Sequence, residues 1–594
     1  MRATRGGAPL SRAPVEGTAA FCKSAAPVQV STGCPRTGDN ARMIEAATPC
    51  NIAAALPRLA RERPDQVAMR CPGADGGYGV ALSYADLDRR SDAIAAGLAK
   101  RGIVRGTRTV LMVRPTPEFF LLMFALFKAG AVPVLVDPGI DKRALKQCLG
   151  EAQAEAFIGI PLAHVARVLL GWARSARVRI TTGARPWLAD ATLAEVERAG
   201  AGAGPQLADT APDDVAAILF TSGSTGVPKG VVYRHRHFVA QIAMMREAFG
   251  IVPGGVDLPT FPPFALFDPA LGLTSIIPDM DPTRPAQADP HKLHAAIRRF
   301  GVDQLFGSPA LMRVLAEHGE RLDGVRRVTS AGAPVPADVV ATLCALLPPD
   351  ARFWTPYGAT ECLPVAVIEG RELVTLRALV EQGAGTCVGR AVPPNEVRII
   401  RVTDDAIATW SDDLRVPDGV VGEITVAGPT ATDTYFNREA QTRHAKITEA
   451  LPGGTTRVIH RMGDLGYIDR EGRLWFCGRK SQRVVTERTT LCTEQVEPVF
   501  NTHPDVRRTA LVGVGAFGAQ VPVLCVELRK GVAAGEWPRI EAELRHLGEG
   551  FVHTAYVQRF LHHPKPFPVD IRHNAKIGRE ALAAWATKRL RRAG

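Results

Sequence analysis

Thr221, Ser222, Gly223, Ser224, Thr225, Gly226, Val227, Pro228, Lys229 and Gly230 directly follow the apolar run Ile218, Leu219 and Phe220. A buried strand that empties into hydroxyl residues, glycines and one lysine has the makings of an anion cradle. Glycine lets backbone amides approach an anion closely, and the hydroxyls and the ammonium add further donors. The chemistry this permits is the holding of a triphosphate. The spacing is not GxxxxGK[ST], and neither serine sits in GxSxG, which disfavours the P-loop and nucleophile-elbow patterns. A second glycine pattern, Gly513, Gly515 and Gly518, fits GxGxxG. It precedes a strand-like run at 521–528 where a dinucleotide site requires a helix, so it is set aside.

Five further segments are candidates for the chemistry. Tyr357, Gly358, Ala359, Thr360 and Glu361 place an aromatic ring, a hydroxyl and a carboxylate within five residues. Upstream, Ser330, Ala331, Gly332, Ala333 and Pro334 form a small-residue stretch that allows close backbone approach. Asp464 stands in Met462, Gly463, Asp464, Leu465, Gly466 and Tyr467, and a carboxylate there suits two hydroxyl donors. The strand-like Leu474, Trp475, Phe476 and Cys477 run into Gly478 and Arg479, and Lys576 lies in His573, Asn574, Ala575, Lys576, Ile577, Gly578 and Arg579.

Together these segments resemble the signature motifs of the adenylate-forming superfamily, which includes acyl-CoA synthetases, luciferases and nonribosomal-peptide adenylation domains. The resemblance covers about residues 50–585. It implies ATP and Mg²⁺ as cofactors and a first half-reaction in which a carboxylate attacks ATP to give an acyl-adenylate and pyrophosphate. It also implies that residues 221–226 and Lys229 hold the phosphates and that Gly332, Ala333 and Pro334 lie along the adenine. Tyr357 would stack on the base, Gly358 would stand beside it in the ATP-binding segment, Thr360 would reach the α-phosphate, Glu361 would help hold Mg²⁺, and Asp464 would accept from the ribose hydroxyls. Arg479 would touch the ribose or phosphate edge, Ser481 would sit at a domain hinge, and Lys576 would be the catalytic lysine. An ammonium delivered there neutralises charge between the carboxylate and the α-phosphate.

The second half-reaction turns on departures from the pattern of CoA ligases. Glu487 and Arg488 stand where those enzymes have a Gly-Gly turn, Thr493 and Gln495 replace a Pro and a Glu, and Ala265 replaces a gating His or aromatic residue. Bulky charged groups at that turn are expected to obstruct or reshape a thiol tunnel. These departures, with Val569, Asp570, Ile571, Arg572, His573 and Asn574 before the lysine, resemble the β-lactone synthetases of bacterial long-chain olefin biosynthesis. In that family a 2-alkyl-3-hydroxy fatty acid is adenylated and its own 3-hydroxyl expels AMP. Arg488, His573 and Asp570 are alternative residues for orienting that hydroxyl. A long-chain acyl-CoA or acyl-AMP ligase is the alternative activity, and a basic, non-catalytic nucleic-acid or scaffold protein is the alternative class. Phe264, Ala265 and Phe267, with Met244, Met245, Leu266 and Leu271, form a candidate alkyl-chain lining; a plain core is the competing reading.

Strands must carry these loops. Short β-rich runs at 109–113, 131–136, 216–220 and 326–330 alternate with helical stretches at 84–101, 119–128 and 291–300, which predicts helix-covered parallel sheets, the α/β class. After about residue 421 short strands with turn signals follow, Asp469 to Gly472 reading as a hairpin turn. The expected organisation is a leader or upstream segment (1–42), a multi-subdomain AMP-binding domain (43–478) that ends in β-structure, a hinge (479–481) and a small mobile α+β domain (482–594). The 594 residues are 46% hydrophobic and 22% charged, an ordinary soluble composition that excludes wholesale disorder and polytopic membrane spans. The longest apolar run, 119–127, is cut by Lys128 before membrane length. Eleven cysteines without a CxxC pair point to reduced thiols and a cytoplasmic location. The net charge of +12 admits nucleic acid, but residues 1–42 hold six basic against two acidic residues, and the lysines and arginines with assigned roles converge on ATP. The expected partners are therefore a fatty-acid substrate and other olefin-pathway enzymes, with no nucleic acid.

Overall fold

The strand Arg108–Met112 has three consecutive fully buried residues, the pattern of a parallel strand covered by helices on both faces. It sits in the middle of a seven-stranded sheet ordered Ala191–Thr192, Val178–Thr181, Ala156–Gly159, Arg108–Met112, Val132–Val136, Val215–Thr221 and Lys229–Arg234. All neighbours are parallel except the last pair, which is antiparallel and sets Thr221 opposite Lys229. This is a computed structural model, and it describes residues 50–73, 77–136, 140–184, 187–221, 228–569 and 577–593. The predicted leader 1–42 and the predicted site residues Ser222, Gly223, Ser224, Thr225, Gly226 and Lys576 lie outside the described residues, as do Asp570 and His573.

The apolar run at 119–127 forms the helix Pro117–Lys128, which is buried on every side. It packs against Val132–Val136 of the first sheet and Val67–Cys71 of a second. Lys128, which interrupts the run, has no exposed side-chain surface and pairs with Asp88 and Asp92, each at 2.6 Å. A buried ammonium requires such partners. No helix among the described residues is long and apolar enough to cross a membrane.

The second sheet has fourteen strands among the described residues. Val67–Cys71, Thr274–Ile276, Val256–Pro259, Gln304–Gly307, Arg327–Ser330 and Arg352–Ala359 run parallel, and from Cys362–Glu369 onward each neighbour is antiparallel. The antiparallel half continues through Thr386–Ala391, Leu474–Arg479, Thr456–Ile468, Gly422–Ala427 and Glu396–Ile400. The predicted turn at Asp469 is present: Gly472 N–H donates to Asp469 O at 3.0 Å, between Thr456–Ile468 and Leu474–Arg479.

Beyond Arg479 a smaller module has its own cores. Val506–Val514, Val521–Leu528 and Arg559–His562 form a three-stranded sheet. Leu511, Leu524 and Val526 on one face pack with Phe500, Ile540 and Leu544, while Ala510, Val512, Val523 and Cys525 on the other pack with Leu582 and Ala586. That two-residue alternation is what a sheet covered by helices on both faces requires. Gly513 and Gly515 lie at the end of the strand Val506–Val514, which turns into the antiparallel Val521–Leu528, so the GxGxxG pattern closes a hairpin.

Candidate active site

Chain direction brings the reactive segments together. Parallel strands present their C-terminal ends on one side of a sheet, where ligands of open α/β sheets bind. The strand Arg327–Ser330 ends at residues 331–334, and Arg352–Ala359 ends in a two-residue turn, Thr360 and Glu361, before Cys362–Glu369. Gly332 has φ +101°, a left-handed conformation that needs glycine. Lys229, Ala331, Gly332, Ala333, Pro334, Tyr357, Gly358, Thr360, Glu361, Asp464, Arg479 and Ser481 all line one cleft of about 2560 Å³.

Within it, Asp464 and Arg479 face each other across the strands Thr456–Ile468 and Leu474–Arg479. The Tyr357 hydroxyl donates to Asp464 Oδ2 at 2.6 Å. Asp464 Oδ1 lies 2.8 Å from Arg479 Nη1 as an ion pair but has no aligned hydrogen bond. The carboxyl is 2% exposed, and burial pushes its pKa up against the opposing pull of Arg479. Ser330 Oγ, in the same cleft, is also buried without a partner. A buried carboxylate oxygen held only by its ion pair with Arg479, and an unpartnered Ser330 hydroxyl, fit a nucleoside that supplies hydroxyl and amine donors.

Around Lys229 and Glu361 stand residues that no sequence motif marks. Strand Lys229–Arg234 pairs on its second edge with a segment around Tyr435, through a Val231–Tyr435 bridge and Phe436 N–H donating to Gly230 O at 2.7 Å. Tyr435 therefore stands between three charges. Its hydroxyl donates to Glu361 Oε1 at 2.7 Å. Lys229 Nζ lies 4.9 Å and Lys446 Nζ 5.7 Å from its ring centre. Lys446 is 9% exposed and donates to Thr432 O and, at 3.3 Å, to Thr432 Oγ1. Thr432 in turn donates from N–H (2.8 Å) and Oγ1 (3.0 Å) to Glu361 O. Burial lowers the Lys446 pKa to about 8, with Glu361 pulling it back up. Among the described residues no carboxylate pairs with this ammonium directly. A buried cation without a counter-ion, beside Lys229 and Glu361, suits an anionic ligand. Lys446 lies in no motif; it opens the strand Lys446–Ala450, and nothing local in the sequence marks it as buried.

Glu361 fits a magnesium role. The ion keeps most of its shell as water and phosphate and takes one or two carboxylates, and no cage of three protein ligands surrounds Glu361 among the described residues.

Part of the cleft is apolar. Met245, Phe249, Phe261, Phe264, Leu266, Phe267 and Leu271 line it, with Phe264 stacked on Phe306 at 4.2 Å. Ala265 does not line the cleft. It is 0% exposed within the core, because the single-turn helix Pro262–Ala265 points Phe264 one way and Ala265 the other. Met244 likewise turns inward.

Ser481 lies in the short 3₁₀ turn Lys480–Gln482 that follows Arg479. Just before it, Gly478 has φ +130°, and a Cβ there would stand 2.4 Å from Thr493 Oγ1, so the backbone passes hard against the small module. Thr386 Oγ1 donates to Glu494 Oε2 at 2.9 Å across the same junction. Ile577, Gly578 and Arg579, which follow Lys576, line the cleft, and Arg579 is held by Glu497 (Nη2 to Oε2, 3.0 Å) and Gln482 (3.1 Å). Glu487 and Arg488 are exposed on the turn between Val484–Val485 and Thr490–Leu491, outside the cleft lining. The hairpin carries them outward, so in this arrangement they do not narrow the cleft.

Residues 56–436 match the family described as AMP-binding enzyme. The chain is 70% identical over 556 residues to an olefin beta-lactone synthetase of Xanthomonas campestris pv. campestris, spanning 93% of this chain and 99% of that protein. It is 69% identical over 548 residues to an olefin beta-lactone synthetase of Stenotrophomonas maltophilia, spanning 91% and 99%. Its fold is shared with the amide bond synthetase McbA from Marinactinospora thermotolerans at 23% identity, with a TM-score of 0.71 over 90% of this chain and 99% of that one.

Proposed function

We propose, from the premise that this chain belongs to the AMP-binding enzyme family and to the olefin β-lactone synthetases within it, that it adenylates a 2-alkyl-3-hydroxy long-chain fatty acid and closes it to a β-lactone. The observation that carries this reading is one continuous cleft whose lining holds Lys229, Thr360, Glu361 and Asp464 together with the apolar Phe261, Phe264 and Phe267. An acid with long alkyl chains fits against the apolar lining while its carboxylate meets the α-phosphate of ATP.

In the first step a carboxylate oxygen attacks the α-phosphorus and pyrophosphate leaves. Asp464 holds the ribose, residues 331–334 lie along the adenine, Lys229 and Lys446 offset phosphate charge, and the Thr360 hydroxyl donates to the α-phosphate. Mg²⁺ held by Glu361 supplies further charge neutralisation when bound. Lys576 is assigned to the carboxylate and α-phosphate, which fits the cleft-lining position of Ile577 and Gly578. In the second step the 3-hydroxyl oxygen attacks the acyl carbon, the acyl-oxygen bond to AMP breaks with AMP as the leaving group, and the hydroxyl proton passes to solvent. Tethering the nucleophile to its electrophile removes the entropic cost of bringing the two together, and the acyl phosphate offsets ring strain. Association with other olefin-pathway enzymes belongs to the same reading.

One observation favours a CoA-dependent second step instead: Glu487 and Arg488 stand on an exposed turn and leave the cleft open. Incubation with MgATP and a syn 2-alkyl-3-hydroxy acid, with and without CoA, separates the two. The proposal predicts lactone in both arms; a thioester formed only with CoA, and no lactone, overturns it.

A further inference from the structure

A second cluster of coordinating side chains lies away from the cleft. The helix Pro290–Phe300 starts at the capping residue Asp289, which accepts from His291 N–H at 2.9 Å, and this places His291 and His294 one turn apart. The helix Pro309–His318 ends at Gly319, whose φ of +74° turns the chain back so that Glu320 returns over the helix end. The two helix ends meet there. The His291 and His318 rings lie 4.6 Å apart edge to face, and His294 packs against His318 at 5.2 Å. His318 Nε2 is 3.0 Å from Glu320 Oε2. One ligand atom from each of His291, His318 and Glu320 lies within 4.8 Å of the other two. Behind them His294 is 2% exposed, with its Nδ1 3.6 Å from Glu320 Oε1 and its Nε2 buried without a hydrogen-bond partner.

We infer that His291, His318 and Glu320 form a binding site for a divalent transition metal of the zinc type. Two imidazoles and one carboxylate are a ligand set that zinc, cobalt and nickel accept, whereas magnesium and calcium favour oxygen alone. Bonds of about 2.0–2.2 Å place tetrahedral ligand atoms roughly 3.3–3.6 Å apart. The present separations close to that range by rotation of His291, which is exposed. Arg298 competes for the site, since its guanidinium contacts Glu320 Oε1; Oε2, on the His318 side, is the oxygen left for the metal. None of the three ligands lines the catalytic cleft. The bound ion would clip together two helices that flank Gln304–Gly307, the strand carrying Phe306 beneath Phe264. Its role is thus structural support of the cleft's apolar wall.

The test uses the full chain after chelator treatment, titrated with Co(II), because cobalt's absorption reports its ligands. The eleven cysteines make that distinction necessary. The expected result is one bound equivalent with d–d bands and no thiolate-to-metal charge-transfer band. Loss of a supporting group at metal sites costs about 10–100-fold in affinity, so His291→Ala, His318→Ala and Glu320→Gln are each expected to weaken binding at least about tenfold. Arg298→Met is expected to tighten it. Co(II) is also expected to raise the unfolding temperature of the wild type and not that of His291→Ala, an exposed change that leaves the fold intact. Equal affinity in wild type and His291→Ala, or cobalt bound with a thiolate band alone, overturns the inference.

Discussion

Replacing Lys446 with methionine separates folding from function. Burial lowers this ammonium from its ordinary 10.5 to about 8, a difference worth about 3 kcal/mol against the folded state. Its two hydrogen bonds to Thr432 return about 2 kcal/mol. Methionine keeps the length and removes both contributions, so Lys446→Met is expected to fold within about 1–2 kcal/mol of the wild type at pH 7, where loss of an ordinary buried ion-pair member costs about 3–5 kcal/mol. Because the folded pKa lies below the unfolded one, the unfolded chain binds more protons between pH 8 and 10.5, and wild-type stability rises across that window. The cost is fully present below pH 8, so from pH 7.5 to 9.5 the wild type should gain about 2 kcal/mol on the variant. Activity moves the other way. A charge-assisted contact to polyphosphate is worth about 1.5–3 kcal/mol, so kcat/KM for ATP should fall about 10- to 150-fold. Denaturant titrations at both pH values and a pyrophosphate-release assay measure the two effects. A variant with wild-type kcat/KM for ATP, or one destabilised by more than about 4 kcal/mol, refutes the reasoning.

Asp464→Asn removes the charge that Tyr357 and Arg479 share; kcat/KM for ATP should fall about 30- to 150-fold in the same assay, and a change under twofold would show that the ribose binds elsewhere. Glu361→Gln keeps an acceptor for Tyr435 but loses the carboxylate, so the Mg²⁺ concentration giving half-maximal rate should rise at least about tenfold; an unchanged Mg²⁺ dependence removes Glu361 from the metal. Lys576→Ala should abolish adenylate formation, and normal pyrophosphate release would place the catalytic lysine elsewhere.

Much of the candidate site was legible because the polar residues that line the cleft stand close together in sequence. Thr360 and Glu361 are neighbours on one turn, and Asp464 stands between glycines in one strand, so each announces itself within a few residues. Strand and helix alternation was legible for a related reason: runs such as 110–113 and 216–220 are apolar throughout because both faces of their sheet are covered. What was hidden depends on long-range packing. Tyr435 and Lys446 reach Glu361 only because the segment after Ala427 returns to pair with Lys229–Arg234, and no local pattern encodes that return. Ala265 shows the converse: its position in the chain matched a cleft gate, yet one helical turn directs it into the core. Glu487 and Arg488 were expected near a thiol path, and the hairpin that carries them turns them to solvent.

The central claim is that the carboxylate is adenylated and that the substrate's own 3-hydroxyl then displaces AMP. Oxygen-18 placed in turn in the carboxylate and in the 3-hydroxyl, with mass analysis of AMP and lactone, tests this directly. Carboxylate label is expected to divide between AMP and the lactone carbonyl, and 3-hydroxyl label to stay in the lactone ring. Hydroxyl label in AMP, with both carboxylate oxygens retained in the lactone, would mean that the hydroxyl is the activated group and would contradict it.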